Sequence, residues 1–267
     1  MHLSRTARIV LRVTAFAGLA FLYAPLLVVA VLSFNTSKSF TWPPRSYTTH
    51  WWSVALHNAG ARSALLVSVR LAFVAAAIAV VLGTMLAFAL QRFRFFGREA
   101  LSFAIVLPIA LPGIVTGIAM NSGFRSLGLE LGFTTLVVAH ATFCIVLVYN
   151  NVVARLRRLS PNLEEASADL GADTFQTFRH VTFPLVRSAL LAGGLLAIAL
   201  SFDEIVVTTF TSGQGSQTLP QWIFDNLARP NQLPVVNVVA TAVVVLSIVP
   251  VWLAQRLADG AGTHAAR

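Results

Sequence analysis

Residues 71–90 read LAFVAAAIAVVLGTMLAFAL, twenty consecutive positions without a charged side chain. A helix rises 1.5 Å per residue, so twenty residues reach about 30 Å, the thickness of a bilayer's hydrocarbon core. The stretch reads as a membrane-spanning helix. Five more runs of comparable character lie outward from it, at 13–34, 100–120, 131–154, 188–210 and 235–255; Asp203 and Glu204 interrupt the fifth of these six spans. The pattern predicts an all-α polytopic membrane protein with six transmembrane helices.

The composition agrees. Of 267 residues, 57% are hydrophobic and 11% charged, where a soluble domain carries about 25% charged residues. That excludes a water-soluble enzyme, and disorder as well, because disordered chains are poor in apolar residues and rich in charge. The one cysteine, Cys144, makes no intrachain disulfide and falls far short of a structural zinc site, so no metal centre is expected.

The 19 basic residues, all arginine except Lys38, sort by side. Thirteen lie before the first span, between the second and third, between the fourth and fifth, and after the sixth; six lie in the alternate segments. Positive residues accumulate in cytoplasmic loops, so both termini are expected in the cytoplasm. The net charge of +9 then reports topology, and no nucleic-acid partner is implied.

The start resembles a signal peptide in having basic residues before an apolar run, but that run is about twice the usual 7–15 residues, and an uncleaved first helix is expected. The segment after it carries Trp42, Tyr47, Trp51 and Trp52, suited to an interfacial anchor or to an external partner. The third span contains Pro108, Pro112, Gly113 and Gly117, which suit a kinked packing helix or a hinge.

The longest connection on the arginine-rich side is 155–187. Ser160-Pro161 suits a helix start, and Glu164 and Glu165 fall where the helix dipole favours negative charge. Leu163, Ala166 and Leu170 form an apolar stripe, and Gly171 is placed to end the helix in a left-handed conformation. Asp173 and Gln176 have the spacing of a capping box, and Pro184 closes the unit. A helix lying on the membrane should be basic on its polar face, whereas this one carries Glu164, Glu165 and Asp169 with Asp173 just beyond. It reads as a helix that docks in a protein groove.

Glu165-Ala166-Ser167, three residues, Gly171, nine residues, then Val181-Thr182-Phe183-Pro184 resembles the EAA loop of bacterial ATP-binding-cassette (ABC) import permeases, E-A-A-x-x-x-G-x9-I-x-L-P. Ser replaces the second Ala, Val the Ile and Phe the Leu. In that family the loop is the coupling helix, which inserts into a cleft of a separate ATPase subunit. The resemblance implies that role for Glu164, Glu165, Ala166, Ser167, Asp169, Gly171 and Pro184. It also implies the type I, methionine-permease-like fold, with an N-terminal helix and periplasmic connection over 1–61, a permease core over 62–256 and a short cytoplasmic tail over 257–267. No G-x-x-x-x-G-K-[ST] occurs, so no cofactor is expected in this chain, and ATP with magnesium would be bound by the partner ATPase.

Asp203 and Glu204 sit in an otherwise apolar stretch, where a charge at the bilayer centre costs about 2.5–3.5 kcal/mol on insertion scales and normally faces a bundle interior or a water path. In a continuous helix they would point about 100° apart, one toward the lumen. Two readings stand: a cation pathway, or an internal pair with Arg70. His140 reads as a hydrogen-bonded packing residue or, alternatively, as a proton carrier or ligand on the path. The segments 201–207, with Leu219-Pro220 and Ile223, and 139–144 resemble the spermidine/putrescine branch of these permeases, in which acidic residues are thought to meet the cargo's ammonium groups; Asp203 is the first to carry over. The resemblance implies a bacterial inner-membrane importer in which this chain pairs with a second permease, in a heterodimer, with two ATPase subunits, a periplasmic solute-binding protein and membrane lipid around it. Related permeases carry amino-acid-like, opine or phosphonate solutes. A secondary transporter driven by an ion gradient would explain the intramembrane acids but leaves the coupling-loop pattern without a purpose. An intramembrane serine protease lacks its Gly-x-Ser triplet here.

Overall fold

In the computed structural model, which describes residues 4–160 and 162–263 and side-chain surroundings to residue 248, the regular elements are helices, with one isolated bridge between Asn35 and Tyr47. In chain order they are α1 (Arg5–Leu32), α2 (His50–His57), α3 (Ala59–Arg92), α4 (Arg98–Ala110), α5 (Gly113–Ser126), α6 (Phe133–Leu156), α7 (Asn162–Asp169), α8 (Thr174–Thr177), a π-helical turn (Phe178–Thr182), α9 (Phe183–Asp203), α10 (Val206–Thr211), α11 (Leu219–Leu227) and α12 (Leu233–Thr263). Four described helical runs are long and apolar enough to cross a membrane, namely α1, α3, α6 and the run from Thr174 to Asp203. The bent pair α4 and α5 makes a fifth if the two serve as one crossing. α12 is apolar over Leu233–Ile248; the side chains of the expected span beyond it, and the end of the tail at 264–267, lie outside the described residues.

Two expected spans need correction. The third is broken, because α4 and α5 meet at a bend of 108°. Proline disfavours a helical conformation in the residue before it, and Leu111, ahead of Pro112, is accordingly extended at φ −82°, ψ 148°. Pro108 lies inside α4 without ending it. The fifth span is broken as well: α9 stops at Asp203, Glu204 is extended at φ −70°, ψ 116°, and the helix restarts at Val206. The two acids therefore do not share a continuous helix.

The chain divides into two compact units, Ser63–Gln221, and Met1–Arg62 with Trp222–Arg267. In the first, α6 is the central helix. Its Ala139, Phe143, Cys144, Val148, Tyr149, Val152 and Val153 are buried against Ala76, Ala79, Ala87 and Leu90 of α3 and Ala197 of α9. Lipid is as apolar as leucine, so membrane helices associate by close packing of small residues. A Cβ on Gly83 of α3 would fall 2.9 Å from the carbonyl oxygen of Ile145, and one on Gly193 of α9 would fall 3.1 Å from Cα of Val148. In the second unit, α12 packs against α1 and α2. Leu32 is the buried residue of α1, whose remaining apolar surface suits lipid. Of the expected interfacial aromatics, Trp51 donates from its indole to the carbonyl of Asn35 (3.0 Å) and Trp52 stacks on Phe34. Trp42 and Tyr47 are exposed.

Candidate functional site

The loop between α6 and α9 folds by local rules. α7 ends at a glycine in the left-handed region, Gly171 at φ +84°. The amide of Ala172 donates to the Ser167 carbonyl and that of Gly171 to the Ala168 carbonyl, the paired bonds that satisfy a helix's last carbonyls. Asp173 accepts from the Gln176 amide (2.8 Å) while Gln176 accepts from the Asp173 amide (3.0 Å), the expected capping box of α8. Pro184 stands in the first turn of α9, within a helical run that continues from Thr174 and directly after the π-helical turn Phe178–Thr182, where the regular bonding pattern is already interrupted. Pro161, the expected first helical residue ahead of α7, lies outside the described residues.

Long-range contacts then fix the loop against the bundle. Glu164 is ion-paired with Arg92 at the end of α3 and accepts from the Thr182 hydroxyl at 2.8 Å. The Arg92 guanidinium also lies 5.2 Å over the Phe88 ring, which forms a T-shaped pair with Phe178. Ser167 bonds Thr177 across the turn at 2.9 Å, and Arg155 donates to the Leu185 carbonyl at 2.7 Å. Glu164 thus faces the bundle. Glu165, Ala166 and Asp169 are exposed, beside the exposed apolar side chains Leu163, Leu170 and Phe175. The expected stripe of Leu163, Ala166 and Leu170 exists and is left uncovered by the described chain.

At the far end of α9, one histidine holds the broken helix together. His140 of α6 is fully buried, with Nδ1 at 2.8 Å from Ser201 Oγ on α9 and Nε2 at 2.9 Å from Thr208 Oγ1 on α10. The Thr208 hydroxyl donates its one proton to the Glu204 carbonyl (2.7 Å), so toward His140 it can only accept. A neutral imidazole has one donor and one acceptor, which assigns the proton to Nε2 and makes Ser201 the donor to Nδ1. The Glu204 carboxylate accepts from the Val207 amide (2.8 Å) and so caps the first turn of α10. The last carbonyls of α10 are met in turn: that of Phe210 by Asn121 of α5 at 2.5 Å, and that of Thr211 by the Thr135 hydroxyl of α6 at 2.9 Å. Gly117 lets α5 approach, since a Cβ there would lie 2.6 Å from the Phe210 ring.

This separates the two acids. Glu204 is occupied as a cap. Asp203 is exposed at the C-terminal end of α9, and no ion pair joins it to Arg70 among the described residues; Arg70 is exposed too. Helix C-terminal ends carry partial negative charge, so a cation arriving there meets a carboxylate and a helix dipole of the same sign. His140 is internal to the packing and lines no surface.

The fold class is that of type I ABC importer permeases. A crystal structure of a bacterial ABC transporter involved in the import of the acidic polysaccharide alginate matches with a TM-score of 0.69 at 19% identity, over 97% of this chain and 99% of that one. An amino acid ABC transporter structure matches with a TM-score of 0.59, over 77% and 98%. The chain belongs to the family of binding-protein-dependent transport system inner membrane components, whose profile matches residues 79–261. It is 37% identical to the putrescine transport system permease protein PotI of Escherichia coli (strain K12), over 85% of this chain and 82% of that protein. It is 34% identical to the spermidine/putrescine transport system permease protein PotC of Haemophilus influenzae, over 90% and 93%. A putative 2-aminoethylphosphonate transport system permease protein, PhnV of Salmonella choleraesuis, is 29% identical over 89% and 92%. The chain is accordingly an inner-membrane transport subunit and not an enzyme.

The residues that sequence reasoning missed are partners from elsewhere in the chain. Arg92 carries only a topological signal in the sequence, and Ser201, Thr208, Asn121 and Thr135 carry no local sign of the contacts they make. The bonds that bring them to the site span between 61 and 90 positions of sequence, and Arg155 likewise reaches Leu185 across 30, so no local spacing marks them.

Proposed function

We propose that this chain lines the translocation path of an ATP-driven importer for a polyamine such as putrescine or spermidine. It works beside a second permease, with two ATPase subunits that hold ATP and magnesium and a periplasmic binding protein that delivers the solute. The observation that carries the solute class is the exposed Asp203 carboxylate at the broken end of α9, free of the Glu204 cap, in a chain similar over most of its length to two polyamine permeases. In the bilayer a carboxylate without a partner is costly unless it faces water or a cation, and a diamine supplies the cation. Both termini and α7 lie on the cytoplasmic side, by the arginine distribution. Six crossings form the chain, with 62–256 as the permease core. There the exposed acids and apolar side chains of α7 fit the ATPase cleft, and the Arg92–Glu164 pair transmits their displacement to α3.

The similarity to a 2-aminoethylphosphonate permease favours, as a second reading, another small solute that bears an ammonium group. Reconstitution tests both. The importer is purified through a tag on this chain, placed in proteoliposomes with ATP inside, and offered labelled putrescine or 2-aminoethylphosphonate together with its periplasmic binding protein. Putrescine uptake that needs ATP and the co-purified ATPase supports the proposal. Uptake of the phosphonate alone favours the second reading. Uptake without any ATPase subunit would point to an ion-coupled transporter.

A further inference from the structure

Between α3 and α4 the chain makes a five-residue turn, Phe93-Arg94-Phe95-Phe96-Gly97. We propose that this turn is a binding surface for anionic phospholipid headgroups, with Arg94 and Arg98 meeting the phosphate and the phenylalanines seated among the upper acyl chains.

Depth comes first. The charge-free run 71–90 matches the hydrocarbon thickness, so Arg92 lies at the headgroup level, and α4 turns back into apolar sequence directly after Glu99. A turn held between two apolar helices at that level stays at the interface. Its side chains are unlike those of a water-facing loop: Phe93 is 65% exposed, Phe95 45%, and Phe96 fully exposed. None of the three has a ring partner among the described residues. Aromatic side chains beside basic ones are the composition favoured at the membrane interface.

Charge selects the lipid. Three arginines flank or sit in the turn, and one is already engaged, since Arg92 holds Glu164 and stacks on Phe88. Arg94 and Arg98 make no ion pair among the described residues, and with Phe95, Gly97, Ala100 and the carboxylate of Glu99 they line a surface hollow of about 570 Å³. Two unpaired arginines against one glutamate leave the hollow net positive, and guanidinium groups bind phosphate in a two-pronged geometry. A zwitterionic headgroup would bring its own cation into the hollow, and an anionic one does not. The surface is separate from the solute path and does not depend on which solute is carried.

The test uses the purified importer. Native mass spectrometry after equilibration with equal phosphatidylglycerol and phosphatidylcholine should show phosphatidylglycerol retained severalfold over phosphatidylcholine. The Arg94→Gln/Arg98→Gln variant should lose most of that preference while keeping its ATPase subunits. Independently, a spin label at Phe96→Cys on a Cys144→Ala background should be open to oxygen and shielded from an aqueous nickel chelate in phosphatidylglycerol nanodiscs. An unchanged lipid preference in the double variant would overturn the proposal, as would a label freely reached by the nickel chelate. Loss of the ATPase with lipid preference intact would assign the surface to a protein contact instead.

Discussion

Glu164 on α7 is ion-paired with Arg92, the last residue of α3, 72 positions earlier in the chain. The two side chains are 38% and 34% exposed, and both also meet the Thr182 hydroxyl. A loop expected only to reach outward toward an ATPase is thus also tied inward, by the acid one position before the one that opens the Glu165-Ala166-Ser167 motif.

Because both partners are over a third exposed, the pair itself should contribute no more than about 1 kcal/mol. Arg92→Glu or Glu164→Arg alone places like charges together, and each should lower transport-linked ATP hydrolysis. The double exchange should restore most of it. A double-mutant cycle on ATPase activity and on thermal unfolding of the detergent-purified protein measures the coupling; strictly additive single effects would remove the pair from the mechanism.

Gly171 tests the end of α7. A Cβ there would touch nothing within 4 Å, yet φ is +84°, so the cost of Gly171→Ala is conformational, about 1–2 kcal/mol. Gly171→Asn should be milder, since Asn tolerates the left-handed region. Co-purification of the ATPase should follow the same order, with the glycine best and Ala worst. Equal recovery from all three would show that the left-handed turn is dispensable.

His140→Phe removes two buried hydrogen bonds and leaves Ser201 without its acceptor. A loss of about 1–3 kcal/mol is expected, read as a lower melting temperature in detergent. His140→Gln, which can still donate to Thr208, should lose less. Identical melting of wild type and His140→Phe would show that the bridge across the α9–α10 break holds nothing.

Gly213 reports on the loop after α10. A Cβ there would sit 1.7 Å from the Leu131 carbonyl oxygen, a main-chain clash that no side-chain rotation relieves. Gly213→Ala should therefore cost at the upper end of about 1–3 kcal/mol and reduce the yield of folded protein. A normal yield and melting temperature would mean that the 131–132 segment moves aside freely.

Much of this was legible in the sequence where one residue type decides a local outcome. The charge-free runs marked α1, α3 and α6 because length and apolarity alone set a crossing. Gly171 and the Asp173–Gln176 box were readable because caps act within one turn. The break at Asp203–Glu204 was not: it contains neither Gly nor Pro, and it is held from outside by His140, Asn121 and Thr135, residues whose own neighbours carry no sign of it. At Pro112 the signal was present but ambiguous, since a membrane proline can kink a helix or end it; the extended Leu111 shows that here it ends it. The assignment of Glu204 as a cap and Asp203 as the open acid depended on a three-residue contact to Val207 that exists only once the helix is broken.

The most direct measurement is putrescine uptake by the reconstituted importer carrying Asp203→Asn, which removes the charge and keeps the shape. Losing one partly desolvated carboxylate–ammonium contact should lower uptake at limiting solute by about tenfold or more, while ATPase co-purification and basal ATP hydrolysis stay as in wild type. Uptake equal to wild type across the concentration range would contradict the placement of Asp203 on the path.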